Sequence, residues 1–448
     1  IYFQNYKDAI SVIGNSNSVK RHSISIKLSA LHPRYERNKL ALLEKELLPK
    51  LFELIEIAKI CKVDICLDAE EADRLNLSLF LVSKILESNL IDANYYGFGI
   101  AVQAYQQRSI FVLEWLNNKL VNLNKKMNIR LVKGAYWDTE IKLAQANGLS
   151  NYPVYTKKFI TDLSYLKCAH ILFKSEKIFS QFATHNAFTI SYVKQLFGTK
   201  PYEFQKLHGM GDEIYNHFIK NKEFNCRVYA PVGGYNDLLP YLVRRLLENG
   251  ANTSFIHQLN KKHVNVQELV QSPLDKIPKL ALKEIKDPLE IFPDRKNSKG
   301  IDLSEEYNIM LFSKLDFLKD VSAYSIVCGK EIPSNISTNI TSPHSKANVF
   351  GKAYFADNEI VQKALLSLNS YSEAWKNEDI NNRINIINNF ADLLEENYTR
   401  LVTACVQEAG KTIEDSIADI REAIDFCRYY ALLSKDLFKD TLLPGPTG

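Results

Sequence analysis

The sequence predicts an α/β fold: a β/α barrel of the eight-stranded type in which the first strand is missing. Three observations carry this. Short β-rich runs alternate with apolar-periodic helices, the pattern of β/α units around a parallel sheet. Seven such runs can be counted, one fewer than a closed barrel needs. The chain opens on a helix, so the missing strand is expected upstream of Ile1. An open doubly wound sheet is the rival arrangement on pattern alone.

The elements follow in order. Residues 1–14 read as a helix, with Tyr2, Tyr6, Ile10 and Ile13 near helical spacing and Gly14 as its stop. Ser23–Leu31 reads as a strand, Asn38–Ile60 as a helix, and Val63–Asp68 as the next strand, followed by a helix through Leu86. Tyr96–Gln103 is a strand and Arg108–Lys126 a helix. Asn128–Ala135 is a strand, followed by a helical excursion through Phe173 with a break around Gly148–Pro153. Gln181–His185, Glu203–His208 and Cys226–Val232 are strands, with helices to Leu196 and Ile219 between them. Tyr241–Asn252 is the helix after the last strand. It divides into a polar face of Tyr241, Arg244, Arg245 and Glu248 and an apolar face of Leu239, Leu242, Val243, Leu246 and Leu247. From about Ala251 to Lys346 the Ser-Pro, Asp-Pro, Phe-Pro and Ile-Pro pairs, and the Ser, Thr and Asn of Ser334–Ser345, suggest a linker carrying some helix. A strongly helical region runs from Asn358 to Leu437, with Gly410 between its main helices. The expected domains are 1–255, a barrel; 256–346, a linker region; and 347–448, a further partial domain. The start at Ile1 and the stop after Pro446-Thr447-Gly448 both suggest cut ends.

Composition narrows the function classes. The 448 residues are 46% hydrophobic and 24% charged, ordinary for a soluble globular protein of two or three domains. A net charge of +4 without a basic tail argues against a nucleic-acid partner. The seven cysteines are scattered, with no Cys-x-x-Cys, which suits a reducing compartment and gives no zinc pattern. No His-Glu-x-x-His occurs, and no metal is expected. The absence of Gly-x-Gly-x-x-Gly and of a Walker loop disfavours a cofactor held by those devices. No apolar run approaches the ~20 residues that span a bilayer.

In a β/α barrel, chemistry gathers at the carboxyl ends of the strands. Here those ends carry Lys27, Asp68, Gln103, Arg130 with Lys133, Thr184-His185-Asn186, Leu207-His208 and Tyr229. Singly, each has a plain structural reading: Lys27 a solvated lysine, Asp68 a helix N-cap, His185 a structural histidine, Arg244 and Glu248 a surface pair at i, i+4. Together they describe a mouth of cations and aromatic rings without a nucleophile–base pair. Such a mouth suits an anionic substrate, a large flat cofactor, or both. Two adjacent guanidinium groups, Arg244 and Arg245, can clamp a carboxylate.

Seven collinear motifs then bring in a family. Arg130-Leu-Val-Lys-Gly-Ala-Tyr-Trp-Asp138, Tyr152-Pro-Val-Tyr-Thr156, Ala183-Thr-His-Asn186, Tyr202-Glu-Phe-Gln205, Leu207-His-Gly-Met-Gly211, Tyr229-Ala-Pro-Val-Gly233 and Tyr241–Asn252 resemble the proline dehydrogenase barrel of bifunctional proline utilization A. The resemblance spans roughly Ser11 to Phe255. From about Asn348 onward, Glu408-Ala-Gly-Lys-Thr412 and Arg421–Ala431 resemble the start of the aldehyde dehydrogenase domain of the same family. The fold class so implied is a (β/α)8-type proline dehydrogenase barrel without its first strand, then a linker and a partial, mainly helical aldehyde dehydrogenase segment.

This resemblance implies a flavoenzyme that oxidises L-proline to 1-pyrroline-5-carboxylate, in proline catabolism to glutamate, by hydride transfer to FAD. It implies that Arg244, Arg245 and Lys27 hold the proline carboxylate, and that Tyr229, Tyr241 and Leu207 pack the substrate ring. Arg130 is implied beside the flavin's reactive nitrogen, Asp68 as the group orienting Lys27 or Arg245, and Tyr136 as a further member of the catalytic set. Gln103, Val132, Lys133, Gly134, Ala135, Trp137, Thr156, Lys157, Thr184, His185, Asn186, Gln205 and Glu248, with Arg130, match cofactor positions. NAD belongs only to the missing downstream domain, and no aldehyde dehydrogenase activity is expected, since Cys405 and Cys427 lie in helical patterns. The family implies membrane quinone as electron acceptor, a cytoplasmic location with transient peripheral contact at the inner face of the membrane, and allows an oligomer. The rival expectation is an inactive fragment of the bifunctional enzyme that cannot close its barrel or retain FAD. A generic β/α-barrel lyase or phosphate-binding enzyme fits the pattern but not the motifs.

Overall fold

Seven parallel strands in sequence order form the main sheet, each followed by helix. The structure is a computed structural model. It describes residues 1–16, 21–93, 95–220, 224–250, 272–275, 285–313, 317–442 and 445–446, with the side chains of Asp237, Arg244, Arg245, Leu247, Glu248, Asn249 and Ser313 outside that description. The chain divides into two units, Ile1–Lys142 with Tyr152–Ile285, and Leu143–Asn151 with Lys286–Gly448.

In the first unit, α1 (Tyr2–Gly14) leads to β1 (Ser23–Ile26). The strand is shorter than the apolar run suggests. Lys27 is still extended, but Leu28–Leu31 turn into a short helix, α2, whose Leu28 and Leu31 are buried. The predicted Asn38–Ile60 helix is divided. A 3-10 turn (Arg37–Lys39) precedes α3 (Leu40–Glu46), and α4 (Leu48–Ile60) restarts with Pro49 in its first turn, where a missing N–H costs nothing. Then follow β2 (Asp64–Leu67), α5 (Leu75–Glu87), β3 (Phe98–Gln103), α6 (Ser109–Asn122) and β4 (Met127–Val132). The helical excursion is α7 (Trp137–Ala146) and α8 (Lys158–Lys174), separated where the Gly-Pro break predicts. The last units are β5 (Ile178–Ala183), α9 (Ala187–Phe197), β6 (Tyr202–Leu207), α10 (Asp212–Lys220), β7 (Asn225–Tyr229) and α11 (Tyr235–Gly250). Strand β5 starts three residues before the predicted Gln181. Helix α11 begins six residues before Tyr241 and carries Pro240 inside it.

The sheet is curled. Laid flat, β1 and β7 would stand roughly 29 Å apart, at ~4.8 Å per strand step. Instead Tyr229, ending β7, donates from Oη to Asp68 Oδ2 beyond β2 at 3.4 Å, and Arg227 Nη1 donates to the carbonyl of Arg21, just before β1, at 2.9 Å. Edges β1 and β7 are therefore brought together, with no strand ladder between them among the described residues. Arg227 also forks onto Glu203 through Nε and Nη2 at 2.8 and 3.1 Å. The same carboxylate accepts from Gln181 Nε2 at 3.0 Å and Gln205 Nε2 at 2.9 Å. Residues 181, 203, 205 and 227 alternate along their strands, so this network lies on one face of the sheet.

The other face packs against the helices. Leu51, Leu54, Leu81, Ile85, Leu113, Leu116, Leu172 and Val193 join Phe98, Ile129, Phe182 and Phe204 in a single core. Helix α11 departs from this pattern. Of its predicted apolar face, Leu239, Leu242, Val243 and Leu246 are exposed, Leu246 to 71%, and the Leu247 side chain lies outside the described residues.

The second unit holds α12 (Glu306–Ser313), then β8 (Val321–Ala323), β9 (Ser325–Val327), β10 (Lys330–Ile332), β11 (Ser337–Ser342) and β12 (Ser345–Tyr354). Strands β9 and β10 form an antiparallel pair, and β12 lies between antiparallel β11 and parallel β8. Composition alone suggested a linker carrying some helix as far as Lys346, and β8 to β11 lie within that range. Four helices follow: α13 (Asn358–Lys376), α14 (Ile380–Glu396), α15 (Tyr398–Ala409) and α16 (Ile413–Leu437). Gly410 ends α15 at φ +67, the left-handed stop that glycine adopts most readily. Within this unit Arg421 Nη1 donates to the Ala146 carbonyl at 2.6 Å and Ser298 Oγ to Asp425 at 2.6 Å. No helix among the described residues is long and apolar enough to cross a membrane.

Candidate active site

Arg130 is the centre of the strand-end cluster. It lies near the end of β4 and is almost wholly buried. Nη1 donates to Ser25 Oγ of β1 at 3.0 Å, and Nη2 to Cys66 Sγ of β2 at 3.1 Å and to Asp68 Oδ1 in an ion pair. Its guanidinium carbon stands 5.4 Å from the centre of the Tyr229 ring. Burial works against its charge, but Cys66, Asp68 and Tyr229 outweigh that, and its pKa is raised. Burial likewise pushes the Cys66 thiol up to about 11, so it stays protonated at neutral pH. The Tyr229 phenol is raised as well, by burial first and then by Asp68. The cluster therefore holds a fixed cation, one carboxylate and two neutral groups.

Asp68 pairs with Arg130 and accepts from Tyr229, while the Arg245 side chain, its other expected partner beside Lys27, lies outside the described residues. Lys27 donates its backbone N–H to Tyr6 Oη at 3.2 Å, and its ammonium makes no ion pair among the described residues. Arg244, Arg245 and Glu248 lie on α11, but their side chains fall outside the described residues, and so does the predicted clamp. Tyr241 is on the same helix, half-buried, and near enough to Tyr229 to add to the rise of its phenol pKa.

The other predicted cofactor residues lie in β3, β4 and β6 (Gln103, Val132 and Gln205), in the segments that follow β4 and β5, and in the turn before α8. Lys133 pairs with Asp162 of α8. Gly134 has φ +134, and a Cβ there would meet the Tyr105 ring at 2.5 Å. Gly134 and Ala135 are exposed, Val132 and Tyr136 half-buried. Trp137 donates from Nε1 to the Tyr155 carbonyl at 2.9 Å, which ties it to the turn before Thr156 and Lys157. Gln103, buried at the end of β3, accepts on Oε1 from Gln106 Nε2 at 2.7 Å. Thr184 Oγ1 accepts from the Asn186 backbone at 3.2 Å, and Asn186 Oδ1 caps α9 through Thr189 N at 3.0 Å. His185 Nε2 accepts the Leu207 backbone N–H at 3.2 Å, which leaves the ring proton of the neutral form on Nδ1. That bond links two predicted site residues, one assigned to cofactor and one to substrate. Gln205 donates from Nε2 to Glu203 Oε1 at 2.9 Å, within the sheet network.

Sequence reasoning missed Ser25, Cys66 and Gln106. Ser25 carried a signal, since it alternates with the apolar Ile24 and Ile26. Cys66 was read only for redox and zinc. Glu140 was also missed. It is buried in the first turn of α7 and accepts from Ala72 N at 2.7 Å. Burial raises its carboxyl to about 7, with Asp73 and Glu71 adding to the rise.

The donor set fits a flavin nucleotide. Its cations and amides stand at strand ends, the acidic groups Asp68 and Asp162 are paired, and Gly134 leaves backbone exposed beside Tyr105. Fold and mouth together define a β/α-barrel protein whose strand ends converge on a buried arginine. A family model described as proline dehydrogenase matches residues 1–258, and one described as the aldehyde dehydrogenase family matches 333–447. The chain belongs to the proline dehydrogenase family. It is 39% identical to the bifunctional protein PutA of Klebsiella aerogenes, over 98% of this chain and 35% of that protein. Among solved structures, proline utilization A of Bradyrhizobium japonicum is 37% identical with a TM-score of 0.86, covering 100% of this chain and 44% of that one. That of Bdellovibrio bacteriovorus, inactivated by N-propargylglycine, is 27% identical with a TM-score of 0.88, covering 99% and 48%. The chain thus spans about a third of the length of the curated relative.

Proposed function

We propose that the chain oxidises L-proline to 1-pyrroline-5-carboxylate with FAD as its cofactor. The observation that carries this reading is the Arg130 cluster: a buried, permanently charged donor fixed by Ser25, Cys66 and Asp68 beside the Tyr229 ring, at the strand ends of a family fold. FAD, when bound, supplies the acceptor for the hydride that leaves the ring carbon next to nitrogen. The protein's part is positioning and charge. Arg244, Arg245 and Lys27 hold the carboxylate, whose burial needs such pairing to offset lost hydration. Tyr229, Tyr241 and Leu207 pack the ring and fix its approach. Arg130 keeps a hydrogen-bond donor and a positive charge where negative charge develops. Asp68 holds Arg130. Gln103, Val132, Lys133, Gly134, Ala135, Trp137, Thr156, Lys157, Thr184, His185, Asn186, Gln205 and Glu248 form the cofactor cradle, and Tyr136 borders it.

The barrel domain is proposed as 1–255, with 256–346 a linker region and 347–448 the partial aldehyde dehydrogenase segment. Electron delivery to membrane quinone, by peripheral contact from the cytoplasmic side, belongs to the same proposal. A chain that cannot retain FAD is the second reading, favoured by the missing ladder between β1 and β7 among the described residues. The test is Arg244→Met. FAD should stay bound while proline affinity falls by more than ~30-fold, the loss expected when one partner of a desolvated charge pair is removed. Unchanged proline affinity contradicts the clamp.

A further inference from the structure

We propose that Gln106, a residue outside the predicted site, is a positioning residue that sets which end of the Gln103 amide faces the cofactor. This rests on the reading of Gln103 as a cofactor residue. Both side chains are at least 95% buried, Gln103 at 5% exposure and Gln106 at 4%. Gln106 Nε2 donates to Gln103 Oε1 at 2.7 Å, a short bond for a neutral pair. With its oxygen engaged, Gln103 keeps both N–H groups to offer elsewhere, so it acts as a donor. The group it recognises is then an acceptor, such as a ring carbonyl or ring nitrogen of a flavin. Were Gln103 turned about, its NH2 would face the NH2 of Gln106, and two donors would meet in a buried site.

The main chain of Gln106 is itself held by backbone bonds. Its N–H donates to the Gln103 carbonyl at 3.2 Å, and it forms an isolated antiparallel bridge with Val154. On either side, Tyr105 N donates to the Lys133 carbonyl and Tyr155 N to the Tyr105 carbonyl, each at 2.8 Å, while Gln107 N donates to the Pro153 carbonyl at 3.1 Å. The turn is thus strapped both to Lys133 and to the segment leading into Thr156. The Gln106 Oε1 has no protein partner among the described residues. Its NH2 is the end that bonds to Gln103.

The test compares FAD binding by wild type, Gln106→Leu, Gln106→Glu, Gln103→Leu and the Gln103→Leu/Gln106→Leu double variant, read as FAD Kd by fluorescence together with the visible flavin spectrum. Gln106→Leu should raise Kd about tenfold, the scale of one lost hydrogen bond to a buried group. Gln106→Glu should do the same and shift the spectrum. Its carboxylate cannot donate to the Gln103 oxygen, so the Gln103 amide turns and presents an acceptor. In the Gln103→Leu background, the Gln106 substitution should add almost nothing, because it acts through Gln103. Additive effects, or an unchanged Kd in Gln106→Glu, would overturn the proposal while leaving the cofactor site standing. A wild-type chain that takes up no FAD overturns the reading of the site and this inference with it.

Discussion

Asp68→Asn isolates what holds Arg130 in place. The substitution keeps shape and one acceptor oxygen but removes the charge opposite a guanidinium that is 7% exposed. Two unit charges at ~4 Å attract by about 4 kcal/mol at an effective dielectric near 20. Removing one partner of a buried pair typically costs ~3–5 kcal/mol, because the other charge is left uncompensated. Arg130 retains its bonds to Ser25 Oγ and Cys66 Sγ, and Asp68 itself is 18% exposed, so the lower end applies, about 3 kcal/mol. The chain has two units that need not unfold together, so the suitable assay is hydrogen exchange of the β2 and β4 amides, which reads local opening. Two controls sharpen it. Tyr229→Phe loses the 3.4 Å bond to Asp68 and the hydrogen bond with Ser25 but leaves no charge unpaired, and should cost about 1–2 kcal/mol, less than Asp68→Asn. Asp68→Asn combined with Arg130→Met should be less destabilised than Asp68→Asn alone, since no unpaired cation is left. An Asp68→Asn chain within ~0.5 kcal/mol of wild type would refute the argument that this pair organises the cluster.

Glu140 gives a pH signature. Its carboxyl is raised on folding from an ordinary 4.5 to about 7, so its contribution is complete below about pH 4.5 and is lost as pH rises through 7. Glu140→Gln keeps the acceptor for Ala72 N and removes that loss. The variant should gain on the order of 2 kcal/mol above pH 8, after discounting for partial screening, and nothing near pH 4.5; parallel stability curves for the two chains would count against it. Gly134→Ala forces a Cβ to within 2.5 Å of the Tyr105 ring at φ +134, and should cost ~1–3 kcal/mol in stability and weaken FAD uptake; an alanine chain with wild-type melting temperature and FAD affinity would contradict the cradle.

The alternation of strands and helices was legible because burial imposes a period, and Gly410 because a left-handed stop favours one residue type. The boundaries were less so. Ser23–Leu31 reads as one strand, yet the chain turns after Lys27 because Leu28 and Leu31 gain burial as a helix. The strands within Val321–Tyr354 were hidden by Ser, Thr and Asn, since β11 and β12 are largely exposed and lack an apolar period. At the site, the strand-end rule pointed to Arg130, Asp68 and Tyr229 from single positions. Their pairing depends on how far the sheet curls, which no local pattern encodes. Gln106 was invisible for the same reason: its partner lies three residues away, but its importance comes from burial and from the strap to Val154.

The most direct test of the central claim is an anaerobic proline titration of the chain after loading with FAD, followed by visible absorbance. The account predicts a yellow protein whose flavin band bleaches as proline is added, with 1-pyrroline-5-carboxylate formed in equal amount. A chain that remains colourless with FAD, or a yellow one whose band proline leaves unchanged, would contradict it.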